Sequence, residues 1–283
     1  MEDPAASGWP LDLAEYGRAM ERGRLVSRYF RPEYRGFDVF TRPSGMLAVS
    51  NHGLFALESA SFCLGVWDAS GRALRGLGDR VLYATLAQRR ILGRVGGVEG
   101  SPENAHLLLT RGEICWACPG GAREALASAK DRSRLFWENH QGFVKAAIRA
   151  SVPLVPVAVV GHDELYRQVF DAQQVGRTAF GRWVQRAFGE KYVTPIYLGL
   201  GPLPFPVKLY FMAGEPIEVP DDPSAADDPG AVSALHARVT REEEALVARA
   251  LAWRARDQAD LPAGPERTLN RWLRSVVDQV DPP

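Results

Sequence analysis

Apolar positions along the chain follow two rhythms. Short runs at Met46 to Ser50, Glu113 to Cys118, Pro153 to Val160 and Lys208 to Ala213 read as strands. The third is almost wholly apolar, as suits a sheet covered on both faces. Gly36 to Thr41 predicts the first strand, and the Pro43-Ser-Gly turn leads into Met46. Between these runs the spacing becomes helical: Leu13, Tyr16, Met20 and Val26 before Arg31-Pro, then Ser59 to Val66, Gly142 to Ser151 and Val232 to Ala255. Ser101-Pro102 predicts a helix cap and first position, with Leu107 to Leu109 on the buried side and an end near Arg111-Gly112. A terminal helix has Leu269, Trp272, Leu273, Val276, Val277 and Val280 on one face and Arg267, Arg271 and Arg274 elsewhere. It could clasp the domain, pair with another chain or lie on lipid. Arg80 to Ala84 is apolar without a decided type, 92–100 reads as a glycine-rich loop, and Lys130 to Asn139 as charged and exposed.

Strands alternating with helices define an α/β chain, and 283 residues at 46% hydrophobic content can bury a large core. Three parts are expected: a helical segment over 1–30, with 1–10 frayed, an α/β domain over 31–220, and helices over 231–283. Formal net charge is zero, so the basic surplus of a nucleic-acid binder is missing. The amino end lacks a cleavable signal pattern and no uncharged run reaches spanning length, which predicts a cytoplasmic protein. Cys115 and Cys118 have the spacing of a redox or metal pair, but three residues apart on a strand they face opposite ways. They read as buried free thiols, and the scattered histidines offer no zinc set.

Chemistry concentrates where the Met46 run ends, at Asn51-His52-Gly53, with Glu58 six residues beyond His52. A strand-to-helix corner is where open α/β sheets bind ligands, and an imidazole there can take a proton from an alcohol. A carboxylate would orient it, as in hydrolase triads. On an unbroken helix, residues six apart lie on different faces, so the pair meets only if His52 precedes the helix. The alternative has His52 capping the helix and Glu58 as an ordinary first-turn acid. The second stretch, Pro119-Gly120-Gly121-Ala-Arg123-Glu124, follows a strand and opens a helix. Glycines allow close backbone approach, free amides point outward, and the Arg123 fork suits phosphate or carboxylate. In the competing reading Gly-Gly only turns the chain and Arg123 pairs with an acid. Glu124 has two readings, as the anchor of Arg123 or as a carboxylate of the site itself.

The order of Asn51-His52…Glu58 and Pro119-Gly120-Gly121-Ala122-Arg123 resembles the glycerolipid acyltransferase (lysophosphatidate acyltransferase-like) family, with its Asn-His…Asp and Pro-Glu-Gly-Thr-Arg blocks. Here the acid is Glu, one position later, and Gly120 stands where the second block has Glu, so that Glu124 becomes a candidate replacement. Both departures resemble the diacylglycerol-acyltransferase-like and phytyl-ester-synthase-like branch, as do Leu135-Phe-Trp137…Gly142-Phe143, Val152-Pro-Leu-Val-Pro156 and Gly214-Glu-Pro-Ile217. The resemblance covers about Tyr29 to Val219. It implies a mixed, mostly parallel sheet flanked by helices. It also implies acyl transfer from acyl-CoA or an acyl carrier protein to a glycerolipid hydroxyl such as that of a lysophospholipid, with no further cofactor or metal. His52 and Glu58 would be catalytic, and Asn51, Gly120, Gly121, Arg123 and Glu124 would bind substrate, with Arg123 on a phosphate. Diacylglycerol or a long-chain alcohol is the alternative acceptor.

A lipid hydrolase would share the His-acid pair but needs a nucleophile, and the chain has no Gly-x-Ser-x-Gly elbow. A catalytically silent lipid-binding homologue is the third reading. His162, in a loop at the same strand edge, could line the site, though a surface residue is the preferred reading. Phe180, Trp183, Val184, Ala187 and Phe188 share a helical face opposite Arg182, Arg186 and Glu190, and Tyr192 to Val207 is uncharged throughout but broken by prolines. The stretch Phe180 to Phe205 is therefore expected to touch the inner face of a membrane peripherally, with docking on the core as the competing reading. The first helix is likewise either membrane-apposed or packed on the core.

Overall fold

Along Met46–Ser50 the side chains alternate between two cores: Met46 and Ala48 join one cluster, Leu47 and Val49 the other. This is the consequence of a two-residue period in a strand covered on both faces. The computed structural model describes residues 11–127, 131, 133–138, 140–170, 172–188 and 195–277. The expectations for 1–10, Glu190 and Val280 lie outside them.

The strands are β1 (Glu33–Arg35), β2 (Met46–Ser50), β3 (Leu74–Gly78), β4 (Val98–Glu99), β5 (Ile114–Ala117), β6 (Leu154–Val160), β7 (Arg167–Phe170), β8 (Ile196–Leu198) and β9 (Tyr210–Ala213). Seven form one sheet in the order β1-β9-β6-β2-β5-β3-β4, while β7 and β8 pair separately as an antiparallel hairpin. Within the large sheet every pairing is parallel except β6 with β9. The expected mixed, mostly parallel α/β architecture is therefore the one observed. The helices are α1 (Leu13–Phe30), α2 (Ser59–Ser70), α3 (Leu86–Arg94), α4 (Pro102–Thr110), α5 (Gly121–Ala125), α6 (Gly142–Ala150), α7 (Ala172–Gly176), α8 (Ala179–Phe188), α9 (Pro229–Ala259) and α10 (Pro265–Val277).

One face is covered by α2 and α10, with Phe62, Val66 and Leu273 in its core; the other by α4, α6 and α9. Phe62 is fully buried, its ring against those of Phe37, Trp116 and Phe211. Truncating such a ring costs about 3–5 kcal/mol, several times the worth of an exposed ion pair such as Arg24–Asp68. Packing, not surface charge, holds the sheet. The C-terminal helices are part of this packing: α9 lays Leu246, Val247, Ala250 and Trp253 on β6 and β9. α10 clasps the domain through Leu273, and α1 packs on α2 through Tyr16, Met20 and Leu64.

Several local expectations change. The first strand is Glu33–Arg35, not Gly36 to Thr41, because Gly36 turns at φ 72 and Phe37–Thr41 winds into a 3-10 turn that buries Phe37, Val39 and Phe40. A side chain at Gly36 would strike the backbone of Ala213, so this turn needs glycine. The 92–100 stretch includes the end of α3 and all of β4. Leu107 faces solvent, whereas Leu108 and Leu109 are buried. Ser101 caps α4 as expected, its Oγ accepting the Asn104 N–H at 3.1 Å. Within 130–139, Leu135, Phe136 and Trp137 are buried rather than exposed.

Candidate active site

β2 sits at the centre of the sheet between β5 and β6, all three parallel, so the loops that follow them meet at one edge. Those loops carry His52, Glu124 and His162. The condition for His52 and Glu58 to meet is satisfied, because α2 begins only at Ser59. Ala56, at φ 52, turns the chain back between them, a conformation that costs energy outside glycine and gathers at functional sites. His52 Nδ1–H donates to Glu58 Oε1 at 2.9 Å, and the Gly53 N–H donates to the same oxygen at 3.2 Å. Glu58 stands at the N-cap position of α2 but makes no side-chain bond to the helix, so its carboxylate serves His52 and Gly53 instead.

The charges of the pair support one another. Burial favours a neutral Glu58, yet the bond and charge of His52 outweigh it and hold the carboxyl below its ordinary range. Burial likewise opposes a charged His52, but the negative charge and hydrogen bond of the Cys118 sulfur, and then those of the Glu58 carboxylate, raise the imidazole above its usual value. Nδ1 is committed to Glu58, which leaves Nε2 for proton exchange with a substrate.

Three buried acids grip this block. Glu58 holds the His52 ring, Glu124 Oε1 accepts the His52 N–H at 2.7 Å, and Glu243 Oε1 from α9 accepts the Asn51 N–H at 3.3 Å. Glu124 Oε2 also accepts the Phe136 N–H at 3.1 Å. Burial pushes Glu124 up to about 7 and Glu243 up to about 8. Asn51 bonds to strand β6 from both ends of its amide: Nδ2 donates to Val159 O and Oδ1 accepts from Val159 N, both at 2.8 Å. These two bonds fix the Asn51 side chain on β6 and so position His52, while Asn51 also lines the cleft beside it.

The second stretch is placed differently from expectation. Gly121, at φ 51, turns the chain and its N–H donates to Cys118 O at 3.1 Å, and the α5 that follows is five residues long. Arg123 is exposed, its guanidinium 5.0 Å over the Phe136 ring, and it is not among the residues lining the cleft beside His52. Glu124 neither anchors Arg123 nor faces solvent. Gly120 is tight against it: a Cβ at 120 would lie 2.6 Å from Glu124 Cβ.

The cleft is lined by Asn51, His52, Glu124, Arg134, His162, Asp163, Tyr166, Gln168 and Tyr197, among others. His162 is buried, not a surface residue; Gly53 lacks the side chain that would collide with its ring, and its Nε2 lies 3.2 Å from Asp163 Oδ1 and 3.5 Å from Asn51 Nδ2. Asp163 outweighs burial and raises His162 to about 9. Paired Gln168 and Tyr197 turn toward the cleft, while Phe170, Ile196 and Leu198 on the hairpin are exposed, as are Phe180 and Trp183 of α8. Among the described residues no helix is long and apolar enough to cross a membrane.

Glu243, His162 and Cys118 were not singled out as site residues from the sequence. Glu243 left a signal: it shares a helical face with Val239, Leu246, Val247 and Ala250, an acid on an otherwise apolar stripe. His162 left a weaker one, its place in a loop at the same strand edge, and Cys118 left none, since its contact with His52 is set by a neighbouring strand.

The model of the diacylglycerol acyltransferase family matches residues 27–246. The chain belongs to that family. Its relatives include an uncharacterized protein of Mycobacterium leprae, 30% identical over 235 residues, covering 80% of this chain and 62% of that one. Human diacylglycerol O-acyltransferase 2 is 29% identical over 225 residues, covering 70% of this chain and 56% of that one. The human protein named "DGAT1/2-independent enzyme synthesizing storage lipids" is 28% identical over 191 residues, covering 68% and 54%. The chain thus spans less than two thirds of the length of these relatives. The crystal structure of a 1-acyl-sn-glycerophosphate acyltransferase from Thermotoga maritima shares the fold, with a TM-score of 0.51, 14% identity and coverage of 85% of this chain and 80% of that one.

Proposed function

We propose that this family member transfers a fatty acyl group from a thioester carrier, acyl-CoA or acyl carrier protein, to the hydroxyl of a glycerolipid. The observation that carries the reading is the buried Glu58–His52 pair at the wall of a cleft whose opposite side is the β7–β8 hairpin. In the reaction His52 Nε2 takes the hydroxyl proton as the alcohol oxygen bonds to the thioester carbon. The carbon–sulfur bond breaks, and the leaving thiolate takes the proton back from the imidazolium. Glu58 orients the ring and stabilises its charge; a placed base of this kind supplies about 10²–10⁴-fold.

The charge of the cleft favours a neutral acceptor, diacylglycerol or a long-chain alcohol, over a lysophospholipid. Arg123 stands outside the lining, and Arg134 within it pairs with Asp131 at 3.4 Å beside Asp163 and Glu124. Peripheral contact with a membrane fits the exposed apolar side of the hairpin and of α8, where Phe180 is 66% and Trp183 57% exposed. That surface lies on the element that also walls the cleft, so a lipid acceptor has a short route from bilayer to His52.

The test is one assay with vesicle-borne diacylglycerol, lysophosphatidate and hexadecanol, labelled acyl-CoA or acyl carrier protein, and wild type beside His52→Ala. Ester formation on the neutral acceptors that falls by about 10²–10⁴-fold in the variant is expected. Equal product from both proteins would remove His52 from the mechanism. No product from any pair would leave a silent lipid-binding homologue, and preference for lysophosphatidate would overturn the neutral acceptor.

A further inference from the structure

We propose that the cleft between the carboxyl end of α9 and α10 is a binding site for a phosphate group. It is lined by Gln258, Arg267, Asn270, Arg271 and Arg274 with two alanines, and shares no lining residue with the His52 cleft. No aspartate or glutamate lines it.

The orientation of α10 is set by its apolar side. Leu273 is buried in the core and Leu269 and Val276 pack beside it. The helical period then turns positions 267, 270, 271 and 274 together toward the end of α9. Arg267 and Arg271 form no ion pair with a described acid, and Arg274 donates to the neutral Gln258 amide oxygen. Arg267, Arg271 and Arg274 are all exposed, so this wall offers three solvent-facing cations to an anion.

A second, independent observation points the same way. Asn270 is only 7% exposed, and its Nδ2 is buried with no acceptor among the described residues. Buried donors are nearly always paired, so this amide at the wall of the cleft is an exception that a bound group would account for. A phosphate satisfies both features: its oxygens take the guanidinium forks in pairs and still leave an acceptor for the amide. A carboxylate has too few oxygens and too little charge for all four donors.

The chemistry is shared by a phospholipid headgroup and by free phosphate. The surroundings favour the lipid: Trp272, on the same helix, is 43% exposed and packs its ring 6.2 Å from Phe205, at the end of the apolar stretch. An indole at the rim of a basic site suits a membrane interface.

The test uses the full chain with two probes, inorganic phosphate by calorimetry and flotation with phosphatidylcholine vesicles with or without phosphatidate. Wild type is compared with Arg267→Ala/Arg271→Ala, with Asn270→Asp, and with Arg238→Ala/Arg241→Ala, which removes the same charge from exposed positions on α9. Both site variants, folded by circular dichroism, should lose at least tenfold in affinity for phosphate or phosphatidate vesicles, and the control less than twofold. Loss confined to vesicles assigns a headgroup, and loss with phosphate alone assigns a soluble ligand; either supports the site. Equal loss in the control, or unchanged binding in both site variants, overturns it. Neither readout measures acyl transfer, so its outcome is independent of the proposed reaction.

Discussion

The carboxyl of Glu124 occupies the space that a side chain on Gly120 would need, and it spends both oxygens on the amides of His52 and Phe136. The glycine and the glutamate four residues on are therefore one feature, in which a carboxyl arrives from α5 instead of from the turn.

Gly120→Ala should consequently destabilise the protein by about 1–3 kcal/mol, the usual cost of overpacking. Glu124→Ala frees that space but leaves two buried amides unpaired, each costing about 1–3 kcal/mol. In the double variant Gly120→Glu/Glu124→Ala a carboxylate is supplied from position 120. Recovery of urea midpoint and activity above either alanine variant is expected, and a double variant no better than both would show that Glu124 acts only from its own position.

The raised basicity of His52 sets a pH dependence. A general base works deprotonated, so kcat/KM should climb with pH along a limb that lies above the 6.5 of an ordinary imidazole. Glu58→Gln removes the charge that favours the imidazolium, and its limb should move to lower pH while the rate falls. Cys118→Ala should shift the limb the same way with the rate retained. Pre-steady-state kinetics and intact mass after mixing with acyl-CoA complete the check: loss of activity in Cys118→Ala together with an acyl adduct on the wild-type thiol would replace direct transfer by a two-step route.

Glu243 predicts the stability profile. Its ordinary value is 4.5 and burial raises it to about 8 in the folded chain. Between those limits the folded state binds the extra proton, so stability falls as pH rises, at no more than about 1.4 kcal/mol per pH unit. Glu124, raised to about 7, adds a dependence of the same sign. Glu243→Gln keeps an acceptor for the Asn51 N–H but cannot ionise. Its urea midpoint should fall less than that of wild type between about pH 5 and about pH 9; parallel profiles would mean that Glu243 is already charged when buried.

The strand runs, the Ser101 cap and the placement of His52 ahead of α2 were legible in the sequence because each depends on residues within one or two turns of chain. Periodicity sees such neighbours directly. Gly36 misled it, since alternating Phe37 and Val39 look the same on a strand and on the buried side of a tight turn. The remainder of the site depends on partners far along the chain: Glu124 lies 72 residues and Glu243 192 residues from the amides they hold. Nothing local distinguishes Glu243 from its acidic neighbours except the face it shares, and nothing local moves Arg123 out of the cleft or decides whether His162, at the same strand edge, enters it or faces solvent. Those outcomes belong to the parallel order of β5, β2 and β6 and to the packing of α9 across them, where buried polar groups take whichever partners the fold brings within reach.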